Sequence, residues 1–430
     1  MALFDIPTRG GKSADKLIIN KAQIKKKQPV VNRSGLLGQI ERIKNTVDKY
    51  LGKHKDDFMV IQDCALLDEY ISACNKNNIV AIDTETTGLD PLQDKIVGLC
   101  LYTPNMKPCY IPINHISYIT NERIPNQLNE QLVGSCLQKL TSEHIIMFNA
   151  NFDVRVVRNQ LGVKLVCDWD CYLASRLLNE NEPHKGLKAL HQKYVLQDAE
   201  EEFNFEALFK GVSAEKIPIN VFYLYAAKDA IVTYELYEYQ KQWLRLDHPK
   251  KDIQNLAWVF HNIEMPCVEV VADIEDTGIE LDLQYAEQLS VKYHKVLEEK
   301  ANKFYEVLDK YADDIDKFIR THGNVKLDNP INIASSSQIS VLLYDILKIA
   351  PVDTKNPRGT GEAILVKIDN PITNAILEYR EVAKLLSTYI DKLPECVNSK
   401  DGRIHCKFNQ YGADTGRFSS QDPKLNWAYI

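Results

Sequence analysis

The stretch IVAIDTETTGL at residues 79–89 constrains the fold more than any other part of the sequence. Residues 79–82 form an apolar run typical of a buried strand, and two carboxylates, Asp83 and Glu85, follow at its end. Because alternate residues of a strand share a face, both acids are expected to point the same way. Two such acids repel one another unless a cation lies between them, and Mg²⁺ takes oxygen ligands. A strand end followed by an ordinary polar turn explains the same stretch without a metal.

Short apolar runs on either side of this strand predict an α/β domain. The pattern predicts a strand and a helix between residues 59 and 78, and further strands at 96–102, 109–113 and 145–148. A helix is predicted near residues 127–140. Closely spaced strands followed by alternation of strand and helix indicate a mixed sheet flanked by helices.

From Asp168 onward the pattern is helical. A serine run before Gln338 is expected to cap a further helix, since serine is a common N-cap residue. The charged segment around His248 contains a proline and predicts a domain boundary. The predicted helices of this half lie at residues 221–244, 255–275, 283–311 and 371–392.

The charge of the chain is distributed unevenly. Its formal net charge of −7 disfavours nucleic-acid binding, because polyanions are held mainly by Lys and Arg. Residues 1–55, however, contain 13 Lys and Arg against 4 Asp and Glu, so this end is +9 and the rest is −16. We therefore expect residues 1–57 to form a flexible basic arm. Its lysines, Lys25, Lys26 and Lys27 among them, either contact nucleic acid or solvate a tail.

Composition excludes several classes of protein. The sequence has no long uncharged apolar run and no secretory signal at its start, so we expect a cytoplasmic protein without a membrane partner. Ten cysteines in 430 residues are too dilute for a disulfide framework. Cys167 and Cys171 come nearest to a metal-site spacing, and we expect them to pack in the core.

Two further acidic motifs follow in the same predicted domain. The stretch FNANFD places Asn149 and Asp153 after an apolar strand, where a helix begins near Asn151. Asn and Asp are also ordinary helix caps. The stretch YLYAAKDA places Tyr225 and Asp229 four residues apart, on one face of a helix. A buried tyrosine beside a surface aspartate gives the same pattern.

The order of the motifs is more specific than any one of them. A DxE at a strand end, an NxxFD at a strand-to-helix turn and a YxxxD on a later helix resemble the DEDD superfamily of 3′-5′ exonucleases. The resemblance is to the subclass whose last motif carries tyrosine, because position 224, where the other variant has histidine, is Leu224. It implies an α/β ribonuclease H-like exonuclease domain over residues 58–247.

The resemblance also implies the roles of the site residues. Asp83, Glu85, Asp153 and Asp229 would hold two divalent metal ions, Mg²⁺ or Mn²⁺, and Tyr225 would orient the attacking water. Two metals a few ångströms apart can activate water and stabilise the charge that builds on the phosphoryl oxygens.

Two more residues of this domain match family positions that contact DNA. Leu89 would lie near the terminal bases, although a core leucine is the plainer interpretation. Asn149 is also expected to bind the DNA substrate.

The second half of the chain is similar to the family A DNA polymerases of the bacterial DNA polymerase I type. The stretches HNIEMPCVEVVADIEDTGIELD, ILEYREVAKLLSTYIDKLP and GRIHCKFNQYGADTGRFSSQDPKLN carry this resemblance. It implies a mainly α-helical thumb over residues 248–400 and the start of a palm over 401–430. Arg380 and Lys384 share a helical face and would bind phosphates, unless that face is merely solvated. Arg417 would reach the minor groove at the primer end.

The sequence departs from that family where the palm begins. A DxSxIE-type strand, a fingers helix with spaced Arg, Lys and Tyr, and a late HDE element do not occur. We therefore expect a proofreading 3′-5′ exonuclease from a phage-like replicative polymerase, truncated at the start of the palm. Its partners would be a single-stranded or frayed 3′ end of DNA and primer-template duplex. The alternatives are one half of a split polymerase, completed by a second chain with palm and fingers, and an aborted fragment that exposes apolar surface.

Overall fold

A computed structural model describes residues 33–54, 56–183, 186–196, 210–323, 325, 327–413 and 415–423. The chain folds into two compact units. We call residues 33–277 together with 407–421 the sheet unit, and residues 278–406 together with 422–423 the helical unit. None of the helices in the described ranges is long and apolar enough to cross a membrane.

The sheet unit is built on a mixed sheet with the strand order β1-β4-β3-β2-β5-β6. The pairs β2–β3 and β3–β4 are antiparallel, whereas β1–β4, β2–β5 and β5–β6 are parallel. This arrangement confirms the predicted mixed sheet. The strands are β1 (Met59–Val60), β2 (Ile79–Thr86), β3 (Ile96–Tyr102), β4 (Cys109–Pro112), β5 (His144–Met147) and β6 (Trp169–Asp170).

Helices cover this sheet, and three of them begin at a polar side chain that caps the first turn. Asp63 accepts hydrogen bonds from the N–H groups of Ala65 and Leu66, and Asn129 accepts one from Leu132. The helices are α1 (Arg33–His54), α2 (Cys64–Asn77), α3 (Glu130–Leu137), α4 (Ala150–Val156), α5 (Cys171–Leu178), α6 (Leu187–Tyr194), α7 (Ile219–Gln240), α8 (Lys251–Val259) and α9 (Met265–Thr277).

Helix α1 corrects the expectation of a flexible arm for residues 33–54. Ile40 and Ile43 lie one helical turn apart and are 3% and 2% exposed. Ile43 packs in a cluster with Val221 and Phe222 of α7. Apolar residues at helical spacing therefore order this part of the basic segment. Lys25, Lys26 and Lys27 lie outside the described residues.

The sheet unit also extends past the boundary expected near residue 248. After that charged turn, α8 and α9 bury Phe260, Met265 and Val268 in the same core as the sheet. The ring of Phe260 lies 4.6 Å from that of Trp169, centroid to centroid. The charged segment is thus a surface turn, and the unit ends at Thr277.

A buried ion-pair network joins α4 to α9. Arg155 is 4% exposed and pairs with Glu275 and Asp276. Glu275 also accepts a hydrogen bond of 2.6 Å from the N–H of Phe408. Phe408 belongs to a hairpin of β9 (Lys407–Asn409) and β10 (Ser419–Gln421), which therefore packs with the sheet unit.

The helical unit has its own core, formed by buried residues such as Phe304, Leu342, Leu365 and Ile372. Ser335 caps α12 by accepting a hydrogen bond from the N–H of Gln338, as the serine run predicts. Two long helices match the predicted ones at 283–311 and 371–392. The helices are α10 (Leu283–Leu308), α11 (Ala312–Thr321), α12 (Ser336–Ser340), α13 (Glu362–Leu365), α14 (Pro371–Leu385) and α15 (Lys392–Glu395), and β7 (Ile279–Glu280) pairs with β8 (Arg403–Ile404).

The core positions of Cys167 and Cys171 are confirmed. They are 5% and 0% exposed, and their thiols point at the backbone carbonyls of Ile145 and Thr233. Both are free cysteines.

Candidate active site

The carboxyl end of β2 brings Asp83 and Glu85 to one face, as the alternation of a strand requires. The antiparallel register pairs Asp83 with Cys100 and Glu85 with Gly98 of β3. One possible ligand atom from each of Asp83, Glu85 and Cys100 lies within 4.8 Å of the others. The thiol of Cys100 was not predicted as part of this site. The pairing of β3 with β2 places it there, and the spacing of residues in the sequence gives no sign of it.

Asp153 reaches the same strand from α4. Its Oδ1 atom accepts hydrogen bonds from the N–H of Thr84 at 3.0 Å and from the hydroxyl of Thr84 at 2.5 Å. Asp153 is 4% exposed. Since β5 lies parallel to β2 and leads directly into α4, the sheet topology delivers this carboxylate beside the first two.

Helix α7 supplies Tyr225 and Asp229 from one face, as their four-residue spacing predicts. Both residues meet Lys188 of α6. The Lys188 Nζ atom lies 3.2 Å from Asp229 Oδ2 and 4.1 Å from the centroid of the Tyr225 ring. Lys188 was missed in the sequence because a single lysine on a short helix carries no signal.

The charges of the four carboxylates act on one another's pKa values. Burial raises the pKa of Asp83 well above its usual range, and the charges of Asp153, Glu85 and Asp229 raise it further. Burial, then the charge of Asp229, raises the pKa of Glu85 to about 8. Burial raises that of Asp153 to about 7, although its hydrogen bonds to Thr84 oppose the shift.

Asp170, at the end of β6, positions α4. Its carboxylate accepts hydrogen bonds from the N–H groups of Asn149 at 2.9 Å and Ala150 at 2.8 Å, at the start of α4. It also accepts from Tyr172 at 2.8 Å and Leu173 at 3.4 Å, at the start of α5. One buried side chain therefore caps two helices.

Asn149 holds the N-cap position of α4 without capping it through its side chain, which corrects the interpretation of this residue as a cap. Its backbone is left-handed, with φ of 63°, and its side chain makes no cap hydrogen bond. Asp170 has taken that role because parallel strands β5 and β6 end side by side.

A buried pair of side chains positions the start of α7. His115 Nδ1 donates to the carbonyl of Ile217 at 3.0 Å, because a carbonyl only accepts. The His115 Nε2 atom then accepts from the hydroxyl of Tyr110 at 2.7 Å. Burial lowers the pKa of His115 to about 4, which keeps the ring neutral. Gly98 leaves room for this tyrosine, since a Cβ atom there would lie 2.2 Å from the Tyr110 hydroxyl.

A cavity of about 450 Å³ in the sheet unit is lined by residues that include Leu89, Asn149, Phe152 and, from the hairpin, Phe408. Leu89 is 75% exposed, which corrects its interpretation as a core leucine. Both residues that were expected to contact DNA therefore line one open space.

The three basic residues expected to bind DNA differ in accessibility. Arg380 is half-buried and donates from Nη1 to the carbonyl of Thr360, while its Nη2 atom is buried without a hydrogen-bond partner. Lys384, on the next turn of α14, is exposed. Arg417, in the hairpin of the sheet unit, is exposed as well.

Comparison with known proteins finds two families along the chain. Residues 58–244 match the family described as 3′-5′ exonuclease, and residues 294–427 match DNA polymerase family A. DNA polymerase I of Pseudomonas aeruginosa is 31% identical over 385 residues, which cover 86% of this chain and 38% of that protein. For DNA polymerase I of Chloroflexus aurantiacus the identity is 29% over 381 residues, or 85% of this chain and 37% of that protein. The chain thus spans less than two fifths of these relatives.

One solved structure shares the fold. It is the POL domain of Pol1 from M. smegmatis in complex with DNA primer-template and dNTP, with a TM-score of 0.63 and 20% sequence identity. The match covers 86% of this chain and 55% of that one.

Proposed function

We propose that this chain, which matches a 3′-5′ exonuclease family over residues 58–244 and DNA polymerase family A over residues 294–427, hydrolyses nucleotides from the 3′ end of DNA. The observation that carries the proposal is the convergence of four carboxylates from β2, α4 and α7, of which Asp153 and Asp229 are buried and the other two half-buried. The substrate would be a single strand or a frayed end, and the role would be proofreading during replication.

The donor set of the site fits divalent metal ions, on which an exonuclease domain of this type depends. Asp83, Glu85, Asp153 and Asp229 offer hard oxygen atoms, the ligands that Mg²⁺ and Mn²⁺ prefer. Their four negative charges would balance two such ions. When bound, the ions supply an activated water and stabilise the charge on the phosphoryl oxygens.

The remaining residues of the site would bind and orient. The Tyr225 hydroxyl would hold the attacking water, while Lys188 keeps the Tyr225 ring and Asp229 side by side through the contacts described above. Leu89 and Asn149 would contact the terminal nucleotides in the cavity that they line. Phe152 lines the same cavity and offers an aromatic ring on which a base can stack.

The other half of the chain would bind duplex DNA. We assign residues 278–400 of the helical unit as the thumb and residues from 401 onward as the start of the palm, with Lys384 and Arg417 as exposed phosphate or groove contacts. The match of residues 294–427 to DNA polymerase family A favours a second candidate function. In that case the chain binds primer-template DNA for a second chain that carries palm and fingers.

Cleavage of a 5′-labelled single strand tests the first proposal. Wild type with Mg²⁺ should produce a one-nucleotide ladder from the 3′ end, and both EDTA and the double variant Asp83→Ala/Glu85→Ala should abolish it. Tyr225→Phe should leave measurable activity, because it disturbs only the water. Glu122→Ala, which removes an exposed acid of the same unit, is the matched control and should cleave normally.

Intact substrate at high concentrations of wild-type protein would refute the exonuclease proposal. If that protein still shifted a primer-template duplex in a gel, the second candidate function would stand instead. Equal rates for Asp83→Ala and wild type would contradict the assignment of the metal ligands.

A further inference from the structure

We infer that the carboxylate site is also a binding site for thiophilic divalent cations such as Zn²⁺, held by Cys100 together with Asp83 and Glu85. One part of the inference rests on the proposed function: the bound ion would inhibit DNA cleavage because it occupies Asp83 and Glu85, two of the ligands proposed for Mg²⁺.

Strand pairing gives Cys100 its position. It stands directly opposite Asp83 on β3, and residues opposite one another in an antiparallel pair project from the same face. One ligand atom from each of Cys100, Asp83 and Glu85 lies within 4.8 Å of the other two. Tetrahedral zinc, with bonds of ~2.3 Å to sulfur and ~2.1 Å to oxygen, needs ligand atoms ~3.6 Å apart. Side-chain rotations that close the cluster by about 1 Å meet that requirement.

The environment of Cys100 differs from that of the other buried thiols described above. The thiols of Cys167 and Cys171 face backbone carbonyls in the core. Cys100, although fully buried, has its sulfur close to two carboxylates of the proposed metal site. It is a free cysteine, and the sulfur is available as a ligand.

Ligand softness separates the two kinds of ion. Mg²⁺ binds oxygen and does not use a thiol, so Cys100 leaves the proposed catalytic ions undisturbed. Zn²⁺, Cd²⁺ and Co²⁺ bind thiolate, and the thiol proton is released to solvent as the metal–sulfur bond forms. An ion held in this way occupies Asp83 and Glu85, so it should block cleavage supported by Mg²⁺.

Titration of Co²⁺ into the metal-free full chain tests the inference by absorbance. Wild type should develop a sulfur-to-cobalt charge-transfer band. Cys100→Ser and Cys100→Ala should lack the band and bind Co²⁺ at least ~10-fold more weakly, while their Mn²⁺ affinity changes by less than about 3-fold. Cys267→Ser, which removes a half-buried cysteine of α9, should keep the band. In parallel, Zn²⁺ should inhibit cleavage by wild type more strongly than cleavage by Cys100→Ser.

Absence of the band in wild type, or its persistence in Cys100→Ser, would overturn the inference. Equal losses of Mn²⁺ and Co²⁺ affinity in both Cys100 variants would also overturn it, since the residue would then support the site as a whole. A protein that shows the band but leaves DNA intact would uphold Cys100 as a ligand and refute the exonuclease proposal. A protein that cleaves DNA but shows no band would support the exonuclease proposal and refute Cys100 as a ligand.

Discussion

Replacing Asp170 by alanine should destabilise the sheet unit far more than the loss of an ordinary helix cap. The carboxylate accepts four backbone N–H groups, two at the start of α4 and two at the start of α5. Asp170 is 2% exposed, so water cannot readily replace it. Asp170→Ala therefore removes the caps of both helices at once.

The expected magnitude follows from these contacts. An exposed N-cap is worth about 1 kcal/mol, and each buried amide left without an acceptor costs about 1–3 kcal/mol. Two helix caps are lost, but relaxation of the chain lets water reach part of the exposed amides. We therefore expect the free energy of unfolding to fall by about 3–5 kcal/mol. Asp170→Asn retains one acceptor oxygen and should lose less.

Urea unfolding measures this loss. Tryptophan fluorescence reports on the right region, because three of the four tryptophans, Trp169, Trp243 and Trp258, lie in the sheet unit. Asp170→Ala should lower the unfolding midpoint by about 1 M urea or more. Asp63→Ala is the matched control, since Asp63 caps only α2 and is exposed, and it should cost about 1 kcal/mol.

Cleavage should separate the two variants under conditions in which both are folded. Asp170→Ala releases the start of α4, which carries Asp153, so its rate should fall at least ~10-fold, whereas Asp63→Ala should cleave normally. A loss of stability for Asp170→Ala no larger than that for Asp63→Ala would refute the reasoning.

Three further changes test the site. Because the pKa values of Glu85 and Asp153 are raised to about 8 and about 7, the folded metal-free protein retains protons that the unfolded chain has released. Its melting temperature in EDTA should therefore fall as the pH rises from 6 to 9, while the increase in melting temperature caused by Mg²⁺ should grow; a flat profile would contradict this. Lys188→Met should bind Mn²⁺ roughly 3- to 10-fold more tightly in a spin-resonance titration, because the substitution removes the positive charge of the lysine from the acidic pocket. The variant should nevertheless cleave DNA more slowly than wild type. Lys193→Met, which removes a similarly paired lysine of the same helix, should change neither quantity. Gly98→Ala should cost about 1–3 kcal/mol in the same urea assay, since its Cβ meets the buried ring of a tyrosine, and wild-type stability would show that this packing is not tight.

Local patterns in the sequence were sufficient for much of the fold. The alternation of a strand places Asp83 and Glu85 together, and the helical period places Tyr225 and Asp229 together. The mixed sheet and the serine cap at Ser335 followed from equally local signals. Each of these properties depends on residues that are close in sequence, and each was predicted for that reason.

Other features depended on contacts between distant segments. The compact sheet unit continues past the boundary expected near residue 248, to Thr277, because a charged turn has the same sequence whether the next helix leaves the core or returns to it. Helix α7 is apolar around most of its circumference, so its pattern does not tell which face meets the sheet. The order of residues 33–54 likewise depends on Ile43 finding a partner on that helix.

The sequence by itself determined which carboxylates share a strand or a helix face, because those relations are set by the repeat of the backbone. Only the tertiary structure decided which other residues join them. Cys100 enters through strand register, Lys188 through the packing of α6 on α7, and Asp170 through the neighbouring ends of two parallel strands. A side chain's neighbours from distant segments depend on how whole elements pack, and no repeat of the local backbone encodes that packing.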